Sequence, residues 1–242
     1  MKNNLLVSVV IKNLINIIMI ENHEENNIKD ECDVEHGFDR GIDFNVIKDK
    51  LIKEYEIIRD QDVELDNEDK FYDRRKKMLI HKMIYCIVAL IQLRNGSRIS
   101  EAVNAFKQFI SKDNFNNKVL VKIAKSESTK YKKNTKEKFK TKARYRKIMF
   151  PIDWIEIDNN DDIKIYSDNI QNKKLQKRVL DYLLKYFDCN THSLRYAFIN
   201  HMLFDLGKEM AVVAKFVGHT NVQQLVTYTQ QKQTDKMFDI DI

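Results

Sequence analysis

Apolar positions recur along this chain mostly at helical intervals. Between residues 71 and 93, Met78, Ile80, Met83, Ile84, Ile87, Val88 and Ile91 mark the inward stripe of a long helix. Arg94-Asn95-Gly96 closes it as a turn. A second helix starts near Ser97, a plausible N-cap, with Ile99, Ala102, Val103 and Phe106 at helical spacing. Phe44 to Ile58 gives an earlier helix and 171–187 a later one. Three compact helices are predicted after that: His192 to Leu206 ending at Gly207, Lys208 to Val217 ending at Gly218, and Asn221 to about Gln231. Both glycines stand where left-handed C-terminal caps are wanted.

Only two stretches follow the two-residue period of a strand. Val119 to Ile123 alternates, as does Arg146 to Pro151, and the long basic stretch between them makes a hairpin with a large tip. With 5 Gly and 1 Pro in 242 residues, turn punctuation is too sparse for a many-stranded architecture. The expected fold is mainly α with a small antiparallel β-hairpin or three-stranded sheet at one edge, an α+β arrangement. There is no internal repeat.

Apolar residues make up 43% and charged residues 32%, enough for a core under a highly charged surface, which excludes disorder throughout. The longest apolar run, Leu5 to Ile20, is interrupted by Lys12, Asn13 and Asn16, so neither a membrane span nor a secretory leader is expected. Cys32, Cys86 and Cys189 are far apart and read as reduced thiols of a cytoplasmic protein.

Charge divides the chain. Residues 21–70 hold 18 Asp/Glu against 7 Lys/Arg, whereas residues 71–242 carry a net +15. This predicts a boundary near residue 70, between an N-terminal appendage, 1–70, and a basic body, 71–242. Lys118 to Lys147 contains thirteen Lys/Arg and two acids, Glu127 and Glu137. Like charges this dense repel one another unless a polyanion neutralises them, which points to nucleic acid. The same stretch offers few apolar groups to insert into a membrane surface.

Taken singly, the polar residues near these elements decide little. Arg98 at a helix start opposes the helix dipole, an oddity that a bound anion would relieve. His192 and Arg195 are three apart on one helix. The series is more specific: Gly96-Ser97-Arg98-Ile99-Ser100-Glu101, a basic hairpin, His192-Ser193-Leu194-Arg195, Gly218-His219, and Tyr228 nine residues on. In order and spacing it resembles the catalytic domain of the tyrosine recombinases, the phage-type integrases and Xer-like recombinases. The resemblance covers about residues 71–232.

That resemblance implies a role for each position. Arg98 and Arg195 clamp the non-bridging oxygens of the scissile phosphate, where a planar guanidinium gives bidentate contact and fixed charge. His192 and His219 donate hydrogen bonds there or manage protons near the nucleophile. Tyr228 attacks phosphorus and leaves a 3′-phosphotyrosyl enzyme. A hairpin lysine protonates the leaving 5′-oxygen; Lys125 follows the first strand, with Lys140 and Lys142 as alternatives. Glu101 is an acceptor that fixes an arginine or His192. Neither metal nor cofactor is implied. The expected partners are double-stranded DNA, further copies of the chain as a tetramer on paired sites, and a possible host accessory protein.

The pattern departs from the family in places. Tyr196 stands where many relatives have a second His. One extra residue lies between Arg195 and Gly207, which a turn or helix end could absorb. The front segment is short and acidic, unlike a DNA-clamping domain. The apolar tail, Thr234 to Ile242, resembles the segment that family members exchange between protomers, and would otherwise pack on its own domain. Two other classes share parts of the pattern: a type IB topoisomerase-like enzyme, and a DNA-binding accessory protein derived from a recombinase.

Overall fold

The structure, a computed structural model, describes residues 42–63, 65, 71–111, 117–124, 126–127, 129–131, 138–157, 161–219, 221–223 and 225–226. Helix α1 (Phe44–Val63) opens them. The Asp43 carboxylate accepts the Val46 N–H at 2.9 Å and so caps its first turn. Phe44, Ile47, Leu51, Tyr55 and Ile58 recur every three or four residues and are buried.

Helix α2 (Tyr72–Asn95) is the central element. The expected stripe accounts for its first half only, and Met78 on that stripe is exposed. From Cys86 to Leu93 every residue is buried, because α1 and four later helices pack around it. Gly96 ends α2 in the left-handed region at φ 52°. Helix α3 (Ile99–Ile110) follows at once, with Ala102, Val103, Ala105, Phe106 and Phe109 turned inward.

Strand β1 (Lys118–Lys122) buries Val119 and Val121 and exposes Lys118, Leu120 and Lys122, the alternation of a half-buried edge. Strands β2 (Thr129–Tyr131) and β3 (Lys138–Lys140) pair with each other inside the hairpin. Strand β4 (Tyr145–Met149) returns antiparallel to β1, with Lys118 opposite Met149 and Lys122 opposite Tyr145. The β structure among the described residues is therefore two separate two-stranded pairs, not a three-stranded sheet.

Helix α4 (Asp161–Asp168), which the sequence pattern does not signal, precedes α5 (Asn172–Phe187). Helix α6 (Thr191–Asn200) is shorter than the helix expected from His192 to Leu206. At His201–Asp205 the chain widens into a π turn, with the Leu206 N–H reaching the His201 carbonyl at 3.0 Å. A π turn holds one more residue than an α turn, which accommodates the extra residue before Gly207. Helix α7 (Met210–Phe216) runs to Gly218, and Gly207 and Gly218 both have positive φ, as capping glycines should. Residues 223, 225 and 226 are helical. The rest of the last expected helix lies outside the described residues, as does the tail Thr234 to Ile242.

One core takes side chains from α1 to α7 and from the β1–β4 pair. The charge break near residue 70 thus falls between two helices that pack on one another. Cys86 and Cys189 are buried free thiols in this core, and burial pushes both up to about 12. No helix among the described residues is long and apolar enough to cross a membrane.

Candidate active site

Three chain segments meet at the C-terminal end of α2. Asn95 fixes the first contact. Its side-chain amide donates to the Met149 carbonyl at 2.8 Å, and its Oδ1 accepts the Met149 N–H at 2.9 Å. It therefore continues the edge of β4 as a strand residue would. Gln92 Nε2 donates to the Thr191 carbonyl at 2.6 Å and ties α2 to the start of α6. At Gly96 the approach is closest: a Cβ there would lie 2.3 Å from Phe198 Cδ1.

Arg98 occupies the N-cap of α3 with extended backbone, its side chain only partly buried. Its guanidinium pairs with Glu101 at 3.3 Å, and its own N–H reaches the same carboxylate at 3.4 Å. Glu101 is 1% exposed. Such a buried carboxylate is tolerable only when its oxygens are matched. The Ala124 N–H donates to Oε1 at 2.9 Å, and Arg146 Nε lies 3.3 Å from Oε2. Glu101 thus fixes an arginine, as expected, and also holds the hairpin at the residue preceding Lys125.

Arg195 is buried in α6. Nη1 donates to the Gly96 carbonyl at 2.5 Å, and Nη2 to the Val217 carbonyl at 3.1 Å. Nη2 also lies 2.7 Å from His219 Nε2. A guanidinium only donates, so Nε2 is the accepting nitrogen and Nδ1 carries the ring proton. His219 is placed by the cap of α7, its N–H reaching the Ala214 carbonyl at 2.9 Å. Gly218 lets this turn approach β1, where a Cβ would lie 3.2 Å from Ile123 Cγ2.

His192 is exposed in the first turn of α6, three residues before Arg195. Asn190 caps that helix, its Oδ1 accepting the N–H groups of His192 at 2.7 Å and Ser193 at 3.0 Å. Lys140 ends β3 and Lys142 stands in the loop before β4, both exposed. Lys125 and Tyr228 lie outside the described residues. Of the expected groups, Arg195 and His219 are in direct contact, and Arg98 joins them through Glu101 and the Gly96 turn.

The residue that the motif pattern misses is Arg146. Its side chain is 9% exposed. Nη1 donates to the Phe216 carbonyl at 2.6 Å and Nη2 to the Asn95 carbonyl at 3.2 Å. Burial draws its pKa down to about 10 against the opposing pull of Glu101, and Arg195 and Arg98 add repulsion. The available signal was strand period: Arg146, Ile148 and Phe150 share the inward face of β4 and its continuation.

A groove of about 590 Å³ lies beside His219 between β4 and α7, lined by Arg144, Arg146 and Lys215 together with Ile123, Ala214 and Val222. Together with the exposed lysines of β1 and of residues 140–147, it makes the hairpin side of the site strongly cationic. Such a surface can hold a phosphate backbone, and the buried guanidinium cluster beneath it can neutralise charge that develops on phosphorus.

Over 219 residues the chain is 45% identical to a Sputnik virophage protein named as integrase V10, a match spanning 85% of this chain and 91% of that one. A protein of Acidianus two-tailed virus, named as integrase ORF241, is 31% identical over 153 residues, 63% of this chain and 54% of the relative. Among solved structures, the XerH site-specific recombinase bound to a palindromic difH substrate superposes with a TM-score of 0.46 at 14% identity. That match covers 82% of this chain and 52% of the XerH chain, so the present chain matches about half of that protein's length. The Tn1549 transposon integrase in complex with transposon right end DNA gives a TM-score of 0.34 at 14% identity, over 81% of this chain and 64% of the other. No family model matches the chain.

Proposed function

Since the chain belongs to the integrase family of its virophage relative, we propose that it is a tyrosine recombinase, a site-specific DNA recombinase that cleaves and rejoins strands through a 3′-phosphotyrosyl intermediate. The reading is supported most by the convergence of Arg98, Arg195 and His219 on the turn at Gly96, with a cationic hairpin beside them.

In the proposed reaction the phenol oxygen of Tyr228 attacks the scissile phosphorus, and the bond from phosphorus to the 5′-oxygen breaks. Arg98 and Arg195 hold the non-bridging oxygens as the phosphorane gains negative charge, and His192 donates to the same group. His219 Nε2, the accepting ring nitrogen, takes the phenol proton once Arg195 turns to the phosphate. Lys125, or alternatively Lys140 or Lys142, gives its proton to the leaving 5′-oxygen. A second 5′-hydroxyl then displaces the tyrosine by the reverse path, so phosphodiester energy is conserved and no nucleotide is consumed. The substrate is duplex DNA, and exchange between two sites calls for several copies of the chain.

A denaturing-gel assay for covalent protein–DNA adducts tests this. Nicked duplexes spanning the DNA that flanks the gene would be incubated with wild type and Tyr228→Phe in the absence of divalent metal. The wild type is expected to form an adduct, and the Phe variant to bind the same duplexes with none. An adduct that persists in Tyr228→Phe would remove the nucleophile assignment.

A further inference from the structure

Two turns of the chain are stitched together twice. Residues 95–96 end α2, and residues 216–217 end α7. Arg195, arriving from α6, takes the carbonyls of Gly96 and Val217. Arg146, arriving from β4, takes the carbonyls of Asn95 and Phe216, one residue earlier on each turn. The carbonyls at a helix C-terminus have no intrahelical donor and carry the negative end of the dipole. Each guanidinium therefore satisfies two helix ends at once, through two nitrogens held in one rigid plane. One turn ends two residues before Arg98, and the other two residues before His219.

Arg146 also shares Glu101 with Arg98. Three guanidinium groups against one carboxylate leave a surplus of two positive charges at this junction. That surplus matches the doubly negative phosphorane of an in-line displacement on a phosphodiester. Arg146 gives Nη1 and Nη2 to the Phe216 and Asn95 carbonyls, and its Nε faces Glu101 at 3.3 Å.

We infer that Arg146 is a positioning residue: by joining β4, Glu101 and the two helix ends, it sets Arg98 and Arg195 in register with the scissile phosphate. The inference rests on the recombinase reading above.

The test is adduct formation by the full chain as wild type, Arg146→Lys and Arg146→Gln. Two duplexes of one flanking sequence are compared, one with an ordinary scissile phosphodiester and one with a methylphosphonate there. The methylphosphonate lacks the non-bridging charge that the clamp neutralises. Arg146→Lys should melt cooperatively and bind the ordinary duplex within about twofold of wild type. It should form adduct about a hundredfold more slowly on the phosphodiester, as small misplacements of catalytic groups do. On the methylphosphonate the deficit should shrink to about threefold, because the phosphorane there carries one negative charge instead of two. Arg146→Gln, which keeps donors without charge, should show the same substrate dependence if the lysine variant does not fold. Wild-type rates on the phosphodiester, or an equal deficit on both duplexes, would overturn the inference. Absence of any adduct from wild type would instead overturn the recombinase reading.

Discussion

Gly96 has to be glycine on two independent grounds. Its φ of 52° is one that a Cβ penalises, and that Cβ would lie 2.3 Å from the ring of the buried Phe198. Left-handed backbone and overpacking together should cost Gly96→Ala about 3 kcal/mol in a urea titration. Adduct formation should fall further than stability alone explains, because the Gly96 carbonyl receives Arg195 and Arg98 is two residues on. At this scale, Arg98, His192, Arg195 and His219 stand out in the sequence as candidates because each sits in a short motif of the series, and the structure brings Arg195 against His219 and Arg98 against Glu101. Arg146 does not stand out, since it is one of thirteen basic residues between Lys118 and Lys147 and only burial separates it from the rest. Its inward place on a two-residue period was the one clue, and arginine on such a face ordinarily reads as an exposed edge residue.

Elements repeat the lesson with different causes. Helix α1 was legible because Phe44, Ile47, Leu51, Tyr55 and Ile58 keep helical spacing through a polar background. Helix α4 was not, as eight residues with three aspartates present only Ile163 and Ile165 as apolar markers. The π turn at His201–Asp205 was equally hidden; it is a local choice of carbonyl, here supported by His201 Nδ1 at 2.8 Å from Asp205 Oδ2. Leu51 is 0% exposed, so Leu51→Ala should lower unfolding stability by about 3 kcal/mol, measured by urea denaturation of the full chain. A change near zero would mean that α1 does not belong to the common core.

For the molecule as a whole, charge and packing draw different boundaries. Residues 21–70 carry a net −11, yet α1 within them is close to neutral, with five acids and four bases. The acidic surplus lies on either side of the helix in sequence, so α1 packs on the basic body through its apolar stripe and not through net charge. The net +15 of residues 71–242 is a statement about affinity, not architecture. If about six phosphates are neutralised, the logarithm of the binding constant should fall with the logarithm of salt with a slope near −5. Fluorescence anisotropy with a labelled duplex between roughly 50 and 200 mM NaCl would read it. A slope near zero would remove the phosphate-tracking role of the hairpin.

Arg146 can also be regarded as a tie-rod in a mechanical frame. It is bolted at one end to a strand of the hairpin and at the other to the ends of two helices. A load applied to β4 by whatever the hairpin grips is delivered into both of those joints. Grip and alignment are therefore one degree of freedom, and the hairpin cannot be levered aside without shifting the turns that carry Arg98 and His219.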